Sequence, residues 1–237
     1  MEVTFSTAQN GLFAANQRLQ TNADNLSNLT TAGFKARLAQ QGTVDGPGSR
    51  FLGTAIDTSQ GAPEQTGVHT HFYLEGEGFF RIARDGEPAY TRVGNFQADL
   101  DGNLVTPTGH LLDPQITVPE DAIGIEVTQD GVVFAVDAAG TATELGQLEV
   151  TRFPNPAGLL PIGDNLFAEG PNSGDPVTGD PGAAGFATIQ QRVLEQSNVD
   201  PANEITQQII NQRYYQMNLR VFQTTDALIS RAIDVFS

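Results

Sequence analysis

Cysteine and tryptophan are absent from the 237 residues, and only three histidines occur. Without cysteine the chain forms no internal disulfide and offers no thiolate to a metal, which excludes a disulfide scaffold and a thiolate zinc site. No run of about 18 apolar residues occurs, so we expect no transmembrane helix. Because the first basic residue is Arg18, we also expect no cleavable secretory signal.

Basic residues are scarce as well: 12 lysines and arginines face 28 aspartates and glutamates, which gives a formal net charge of −16. Residues 1–35 carry two acids and two bases, and residues 190–237 carry five acids and four bases. The remaining 21 acids and 6 bases lie in residues 36–189, which therefore have a net charge of −15. Such a body repels nucleic acid and anionic lipid, and neither is an expected partner. The near-neutral ends can approach each other or further chains.

The N-terminal segment has the periodicity of a helix. Its apolar and small residues alternate spacings of three and four, as one face of a coiled-coil helix does, and Asn22 is the one polar member of the line: Phe5, Ala8, Leu12, Ala15, Leu19, Asn22 and Leu26. A second line, three residues apart, consists of Asn22, Asn25 and Asn28. It is either ordinary polar surface or a set of amides that sets the register of paired helices. Gly33 is placed to end this helix in a left-handed cap.

A C-terminal helix has a clear start, because Asp200 can cap it, Pro201 suits its first position and Glu204 favours its positive end. One apolar stripe then comprises Ile210, Tyr214, Met217, Val221, Thr224, Leu228 and Val235, and a second comprises Phe222, Ile229, Ile233 and Phe236. The stripes are wider than one partner helix covers. They are buried either against the chain's own body or against neighbouring subunits. We favour terminal helices that pair with each other and then pack between subunits.

Strand signals dominate the middle of the chain. Ile123, Ile125 and Val127 alternate before an Asp130-Gly131 turn, and Val132 to Val136 follows as a second strand. Residues 170–185 are rich in Gly, Pro, Asp and Asn and predict an irregular loop. The predicted fold class is α+β, with paired terminal helices and a mainly β middle domain. The predicted segments are an N-terminal helix (1–35), a connector (36–69), a β domain (70–189) and a C-terminal segment with its helix (190–237).

Two patterns resemble metal sites, and each has a simpler explanation. His69 and His71 would share one face of a strand, but a metal site needs three or four ligands. The run Asp99-Leu-Asp-Gly-Asn103 resembles the start of a calcium loop, whose twelfth position requires a glutamate and here holds His110. A β-turn explains that run better. We therefore expect neither a metal site nor a cofactor.

Glu75 and Glu77 are the one candidate acid/base pair, which would suit a peptidoglycan-modifying enzyme. Acidic pairs are common in a body of charge −15, and nothing indicates the cleft that glycan cleavage needs. The chain contains no phosphate-binding Gly-Lys loop, no Gly-x-Ser-x-Gly elbow and no metalloprotease helix. We expect no enzymatic activity. A monomeric adhesin-like β module is a further alternative, against which the apolar faces of both ends argue.

Motifs spread over nearly the whole chain resemble the flagellar basal-body rod and hook family. The N-terminal motif is Asn25-Leu-Ser-Asn-Leu-Thr-Thr-Ala-Gly-Phe-Lys35, and the entry to the β domain contains Leu74-Glu-Gly-Glu-Gly-Phe-Phe-Arg-Ile82. Further matching blocks lie at residues 60–67, 90–96, 101–109 and 211–226. Blocks at residues 153–159, 162–167 and 194–200 indicate the subunits of the distal rod. The connector over residues 36–59 is short, which leaves a proximal rod or hook subunit as the alternative.

The resemblance implies a structural subunit that polymerises helically into a hollow drive shaft, with the terminal helices in an inner coiled-coil layer. It implies other copies, proximal rod, hook and surrounding ring proteins as partners, and export to the basal body without a cleavable signal. The expected assembly interface comprises Phe5, Leu12, Leu19, Asn22, Asn25, Leu26, Asn28, Gly33, Phe34, Ile210, Tyr214, Tyr215, Met217, Val221, Thr224 and Leu228. We expect the ends to be largely disordered in the free monomer and helical after assembly.

Overall fold

The computed structural model describes residues 2–43 and 49–236, and the side chains of residues 7–42, 51–228 and 231. Helix α1 (Glu2–Ser27) opens this part of the chain and helix α2 (Pro201–Phe236) closes it, with strands between them. The predicted α+β class is therefore confirmed. The chain forms two compact units. The helical unit comprises Met1–Leu29, Ala36–Asp57 and Val199–Ser237, and the β unit comprises Thr30–Lys35 and Thr58–Asn198.

The helical unit contains a hairpin that the sequence did not predict. Strands β1 (Arg37–Thr43) and β2 (Ser49–Ile56) pair antiparallel, with a bulge between Gln40 and Gln41. This part of the predicted connector is thus regular structure. The sequence signal is weak because β1 lacks the alternation and the β-branched residues that mark most strands. The hairpin packs against α1, which supplies the stabilising contacts that a lone hairpin lacks in water.

The N-terminal helix ends earlier than predicted. Helix α1 stops at Ser27, and residues 28–33 form turns instead of continuing to Gly33. Gly33 does adopt a left-handed conformation, with φ at +64°, but it does so inside the β unit. Its N–H donates to the backbone oxygen of Glu195 at 2.7 Å. The β unit therefore includes the last residues of the predicted helical segment.

The β unit contains the remaining described strands, all of whose pairings are antiparallel. In chain order they are β3 (Pro63–Gln65), β4 (Phe72–Glu75), β5 (Phe79–Arg84), β6 (Glu87–Thr91), β7 (Gln97–Ala98), β8 (Leu104–Val105), β9 (Leu111–Asp113), β10 (Ala122–Val127), β11 (Val132–Asp137), β12 (Ala142–Gln147), β13 (Val150–Arg152), β14 (Leu160–Gly163), β15 (Leu166–Ala168), β16 (Val177–Gly179), β17 (Thr188–Gln191) and β18 (Val193–Glu195).

The largest sheet runs in the order β14-β15-β6-β5-β9-β8-β7, and β13 joins it by pairing with β5 and with β16. Strands β10, β11 and β12 form a separate three-stranded sheet, while β17 pairs with β4 and β18 pairs with β3. The predicted hairpin around Asp130-Gly131 is confirmed as β10 and β11. The predicted loop over residues 170–185 contains one short strand, β16.

One apolar core unites these sheets. Phe72, Phe80 and Phe96 are fully buried in it, and the Phe80 and Phe96 rings meet edge to face with centroids 5.3 Å apart. Tyr90 lies beside Phe153, and its hydroxyl donates to Glu169 Oε1 at 2.7 Å. Burial raises the pKa of Tyr90, and the hydrogen bond to Glu169 acts in the same direction. The β unit thus has a complete core of its own.

Candidate functional site

Small and polar side chains join the two helices. Helices α1 and α2 pack antiparallel, because Asn25 contacts Glu204 near the start of α2 whereas Gly11 lies against Asn218 farther along it. The α2 side of this contact repeats every seven residues and comprises Glu204, Asn211, Asn218 and Thr225. On α1, Ala8, Gly11 and Ala15 allow a close approach, since a Cβ atom at position 11 would come within 2.9 Å of Asn218 Oδ1. We name this contact the polar seam.

An amide network closes one end of the polar seam. Asn25 Nδ2 donates to Glu204 Oε1 and to the Arg37 backbone oxygen, both at 2.9 Å, and Asn25 Oδ1 accepts from the Arg37 N–H at 2.8 Å. Asn22 Nδ2 donates to Glu204 Oε2, and Asn211 Nδ2 donates to Asn22 Oδ1 at 2.7 Å. Two amides of the predicted asparagine line therefore tie α1 to α2 and to the hairpin, and such directed contacts suit one helix register.

The third asparagine behaves differently. Asn28 lies in the turn that follows α1, and its Nδ2 donates to the backbone oxygen of Asp24 in that helix at 2.9 Å. Asn28 therefore makes a local contact where Asn22 and Asn25 make long-range ones. From the sequence we predict for Glu204 only a role at the positive helix end, and the structure adds its role as the acceptor for Asn22 and Asn25.

We predict that Asn25→Ala destabilises the helical unit by about 1–3 kcal/mol, because Glu204 and the Arg37 N–H lose a buried hydrogen-bond partner. The measurement is denaturant unfolding of the full chain, followed by far-ultraviolet circular dichroism. Asn28→Ala is the matched control and should change the unfolding free energy by less than about 0.5 kcal/mol. Equal effects of the two substitutions would contradict a special role for the seam amides.

The predicted apolar stripe of α2 lies beside the polar seam instead of within it. Six of the interface residues predicted on α2 are between 37 and 61% exposed in the single chain: Ile210, Tyr214, Tyr215, Met217, Val221 and Leu228. Thr224 is also exposed, and Ile205, Ile209 and Leu219 add apolar surface that the sequence analysis did not single out. We use the term apolar stripe for Ile210, Tyr214, Met217, Val221 and Leu228. Exposed apolar surface of this extent is typical of an interaction face.

The predicted residues of the N-terminal segment fall into different places. Leu12, Leu19 and Leu26 are half-buried on α1. Gly33 and Phe34 are buried in the β unit and belong to its interior. The side chain of Phe5 lies outside the described residues, as do those of Val235, Ile229, Ile233 and Phe236.

A buried ion cluster holds residues 33–35 in the β unit. Glu195 Oε1 accepts from Lys35 Nζ at 2.6 Å and from the Gly61 N–H at 2.9 Å, and Glu195 Oε2 accepts from Arg92 Nε at 2.6 Å. The side chains of these three charged residues are at most 5% exposed. The sequence analysis missed this cluster, which we name the Glu195 cluster. No local pattern could have found it, because its members lie far apart in the chain.

Backbone oxygens accept further hydrogen bonds from both cations of the Glu195 cluster. The Arg92 guanidinium donates to the backbone oxygens of Gly78, Leu74 and Gly76 at 2.5, 2.7 and 2.6 Å. Lys35 Nζ donates to the Ser59 backbone oxygen at 2.7 Å. Charged groups this deep are tolerated only when both their charges and their donors are matched. The arrangement fastens five chain segments together, and its charged side chains are buried away from solvent.

The residues considered for catalysis or metal binding have separate partners. His71 Nδ1 lies 2.8 Å from Thr66 Oγ1, whereas His69 Nδ1 lies 3.2 Å from Arg192 Nη2. Glu75 accepts from Gln190 at 2.7 Å and Glu77 pairs with Arg152 at 3.4 Å. These contacts give each side chain a structural role.

The predicted turn at residues 99–103 is present. Asp99 Oδ1 accepts from the N–H groups of Asn103 and Asp101 at 2.8 and 2.9 Å. These hydrogen bonds lower the pKa of Asp99, and the one from the Asn103 N–H contributes most.

Among the described residues, neither helix has the length and apolar content needed to cross a membrane.

Comparison with known proteins gives consistent matches over the chain. The chain is 36% identical over 253 aligned residues to the flagellar basal-body rod protein FlgG of Borreliella burgdorferi. The alignment covers 95% of this chain and 96% of that protein. Identity to FlgG of Agrobacterium fabrum is 37% over 249 residues, with 94% and 95% covered. Identity to FlgG of Bacillus subtilis is 34% over 245 residues, with 92% and 93% covered.

Other matches cover parts of the chain. The flagellar hook protein FlgE of B. burgdorferi is 37% identical over 108 residues, which are 46% of this chain and 24% of that protein. The model of the flagellar hook protein FlgE/F/G D1 domain matches residues 73–135. The model of the C-terminal region of the flagellar basal body rod FlgEFG proteins matches residues 190–235.

Proposed function

The chain belongs to the FlgG group of the flagellar basal-body rod and hook family, and from this premise we propose that it is a structural subunit of the distal rod. The relatives named FlgG align over 92–95% of this chain, whereas the hook protein aligns over 46% of it. A proximal rod subunit remains the alternative within the family. The family is structural, and we propose no enzymatic activity for this member.

The observation that carries the proposal is the apolar stripe of α2. Helix α1 leaves this stripe exposed because the two helices meet through the polar seam. An apolar face of this kind is costly in water and is covered when several chains pack together. We propose that copies of the chain bury these stripes against one another and polymerise helically into a hollow shaft.

The predicted segments acquire roles in this proposal. Helices α1 and α2 form the layer through which subunits contact one another, and their predicted interface residues lie between subunits. The β domain, residues 70–189, has an excess of acids that keeps it soluble beside the surrounding ring proteins. Proximal rod and hook proteins are the axial neighbours, and the subunit is exported to the basal body.

Electron microscopy of isolated basal bodies tests the position of the subunit. Gold-labelled antibodies against residues 70–185 should mark the rod directly below the hook. Basal bodies from a strain that lacks the gene provide the control for antibody specificity. Label close to the inner membrane would favour the proximal rod, and label confined to the hook would favour a hook subunit.

A further inference from the structure

A polar cavity of about 400 Å³ lies within the helical unit, between α1, strand β1 and the first turns of α2. Its walls carry guanidinium and amide groups, contributed by Arg18, Arg37, Gln41, Asn203, Gln207 and Asn211. A cavity of this size has room for an entering side chain as well as for a small ligand. Its chemistry therefore indicates which side chain would enter.

Among the described residues that line the cavity, one buried hydrogen-bond donor has no acceptor. Glu204 is the carboxylate in the wall, and its two oxygens already accept from Asn22 and Asn25. Gln41 Nε2 is buried and donates to no acceptor among the residues that the structure describes. A buried donor without an acceptor is destabilising, and a group that brings oxygen atoms would remove the penalty.

The charged residues of the cavity lining are two arginines, Arg18 and Arg37, and one glutamate, Glu204, so its formal charge is +1. Arg37 Nη1 lies 3.7 Å from Asp24 Oδ2, which is a long and largely solvent-exposed pair. The Arg18 guanidinium lies 6.0 Å from the centre of the Tyr214 ring, and within the described ranges it forms no ion pair. Both guanidinium groups can therefore bind a carboxylate, the partner that best matches their planar arrangement of N–H donors.

We propose that the cavity receives an aspartate or glutamate side chain from the acidic body of a second copy of this chain. The inference rests on the proposed function, since a polymer supplies the neighbouring copy. Residues 36–189 carry 21 acids against 6 bases, so a neighbour presents carboxylates in excess. The cavity also adjoins the apolar stripe, because Asn211 in its wall is next to Ile210. One subunit contact could therefore cover both surfaces.

Photo-crosslinking in the full chain tests this inference. A benzoylphenylalanine at Leu38, an exposed residue of the cavity wall, leaves Arg37 and Gln41 intact. Assemblies are prepared from equal amounts of ¹⁵N-labelled and unlabelled chains, so that mass spectrometry separates cross-links between copies from those within one copy. We expect cross-links between copies that join position 38 to a peptide containing Asp or Glu from residues 36–189.

Three substitutions complete the experiment. Arg37→Gln should lower the yield of cross-links between copies by at least about 10-fold, because a charge-assisted contact is lost. Gln41→Glu should lower it similarly, because the chain then supplies its own carboxylate. Arg84→Gln, on strand β5 of the β unit, is the control and should leave the yield unchanged.

Either of two results would overturn the inference: cross-links confined to single copies, or an effect of Arg37→Gln no larger than that of Arg84→Gln. Electron microscopy of the same samples tests the proposed function separately. Filaments without the expected cross-links would contradict the cavity inference alone. If no filaments form, the proposed polymerisation is wrong. In that case, cross-links between copies at high protein concentration would still support the cavity inference, and their absence would contradict it.

Discussion

Glu195→Gln will destabilise the β unit by about 3–5 kcal/mol, although it preserves the size and shape of the side chain. Glu195 pairs with both Lys35 and Arg92, and the substitution removes this negative charge from two buried cations at once. Breaking a buried ion pair costs more than the pair contributes, because the remaining charge is neither hydrated nor neutralised. Two cations depend on this carboxylate, so we expect the upper part of the range.

The measurement is urea unfolding followed by the environment of the buried aromatic rings in near-ultraviolet circular dichroism. Glu77→Gln is the matched control, since Glu77 is 80% exposed and forms a 3.4 Å pair with Arg152. That substitution should cost less than about 1 kcal/mol. Lys35→Met should cost less than Glu195→Gln, because Arg92 still neutralises the carboxylate. A loss below about 1 kcal/mol for Glu195→Gln would refute a stabilising role for the cluster.

Met217→Glu will raise the critical concentration for self-assembly by at least about 100-fold. Met217 is 60% exposed in the single chain, at the centre of the apolar stripe. The charge costs little in a monomer, where water reaches it, but it would be buried without a partner if neighbouring copies cover the stripe. The substitution therefore separates assembly from folding of the single chain.

Sedimentation of polymer from monomer over a concentration series measures the effect. Leu100→Glu makes the same apolar-to-charged change at a fully exposed turn of the β unit and should alter the critical concentration by less than about 3-fold. Circular dichroism of the variant monomers checks that both remain folded. Unchanged polymerisation of Met217→Glu would place the subunit contact on another surface and would contradict the proposed role of the stripe.

Local signals in the sequence predicted several elements correctly. Asp200 caps α2 as expected, because its Oδ1 accepts from the Ala202 and Asn203 N–H groups at 2.9 and 3.3 Å. Pro201 is the first residue of that helix. The Asp130-Gly131 turn connects β10 and β11, with Gly131 at a φ of +81°. Each of these features depends on residues within a few positions of one another, and such local preferences can be read from sequence.

Where local preference was weak, the prediction failed. The hairpin of β1 and β2 has little intrinsic strand signal and depends on packing against α1. Helix α1 ends at Ser27, because residues 30–35 belong to the β unit, where Lys35 reaches Glu195. The apolar periodicity of this segment ends at Leu26, and contacts between distant residues place the residues beyond it in the β unit.

The sequence by itself determined the two terminal helices, the β-rich body, the charge asymmetry and the family. These properties follow from periodicity, composition and short motifs, which need no knowledge of long-range contacts. Only the tertiary structure decided that the helices meet through Glu204, Asn22 and Asn25, and that the apolar stripe faces outward. Periodicity shows that a helix face is apolar, but the packing partner decides whether that face is buried within the chain. Antiparallel packing of α1 against α2 uses the small and polar residues, and it leaves the apolar surface free for other molecules.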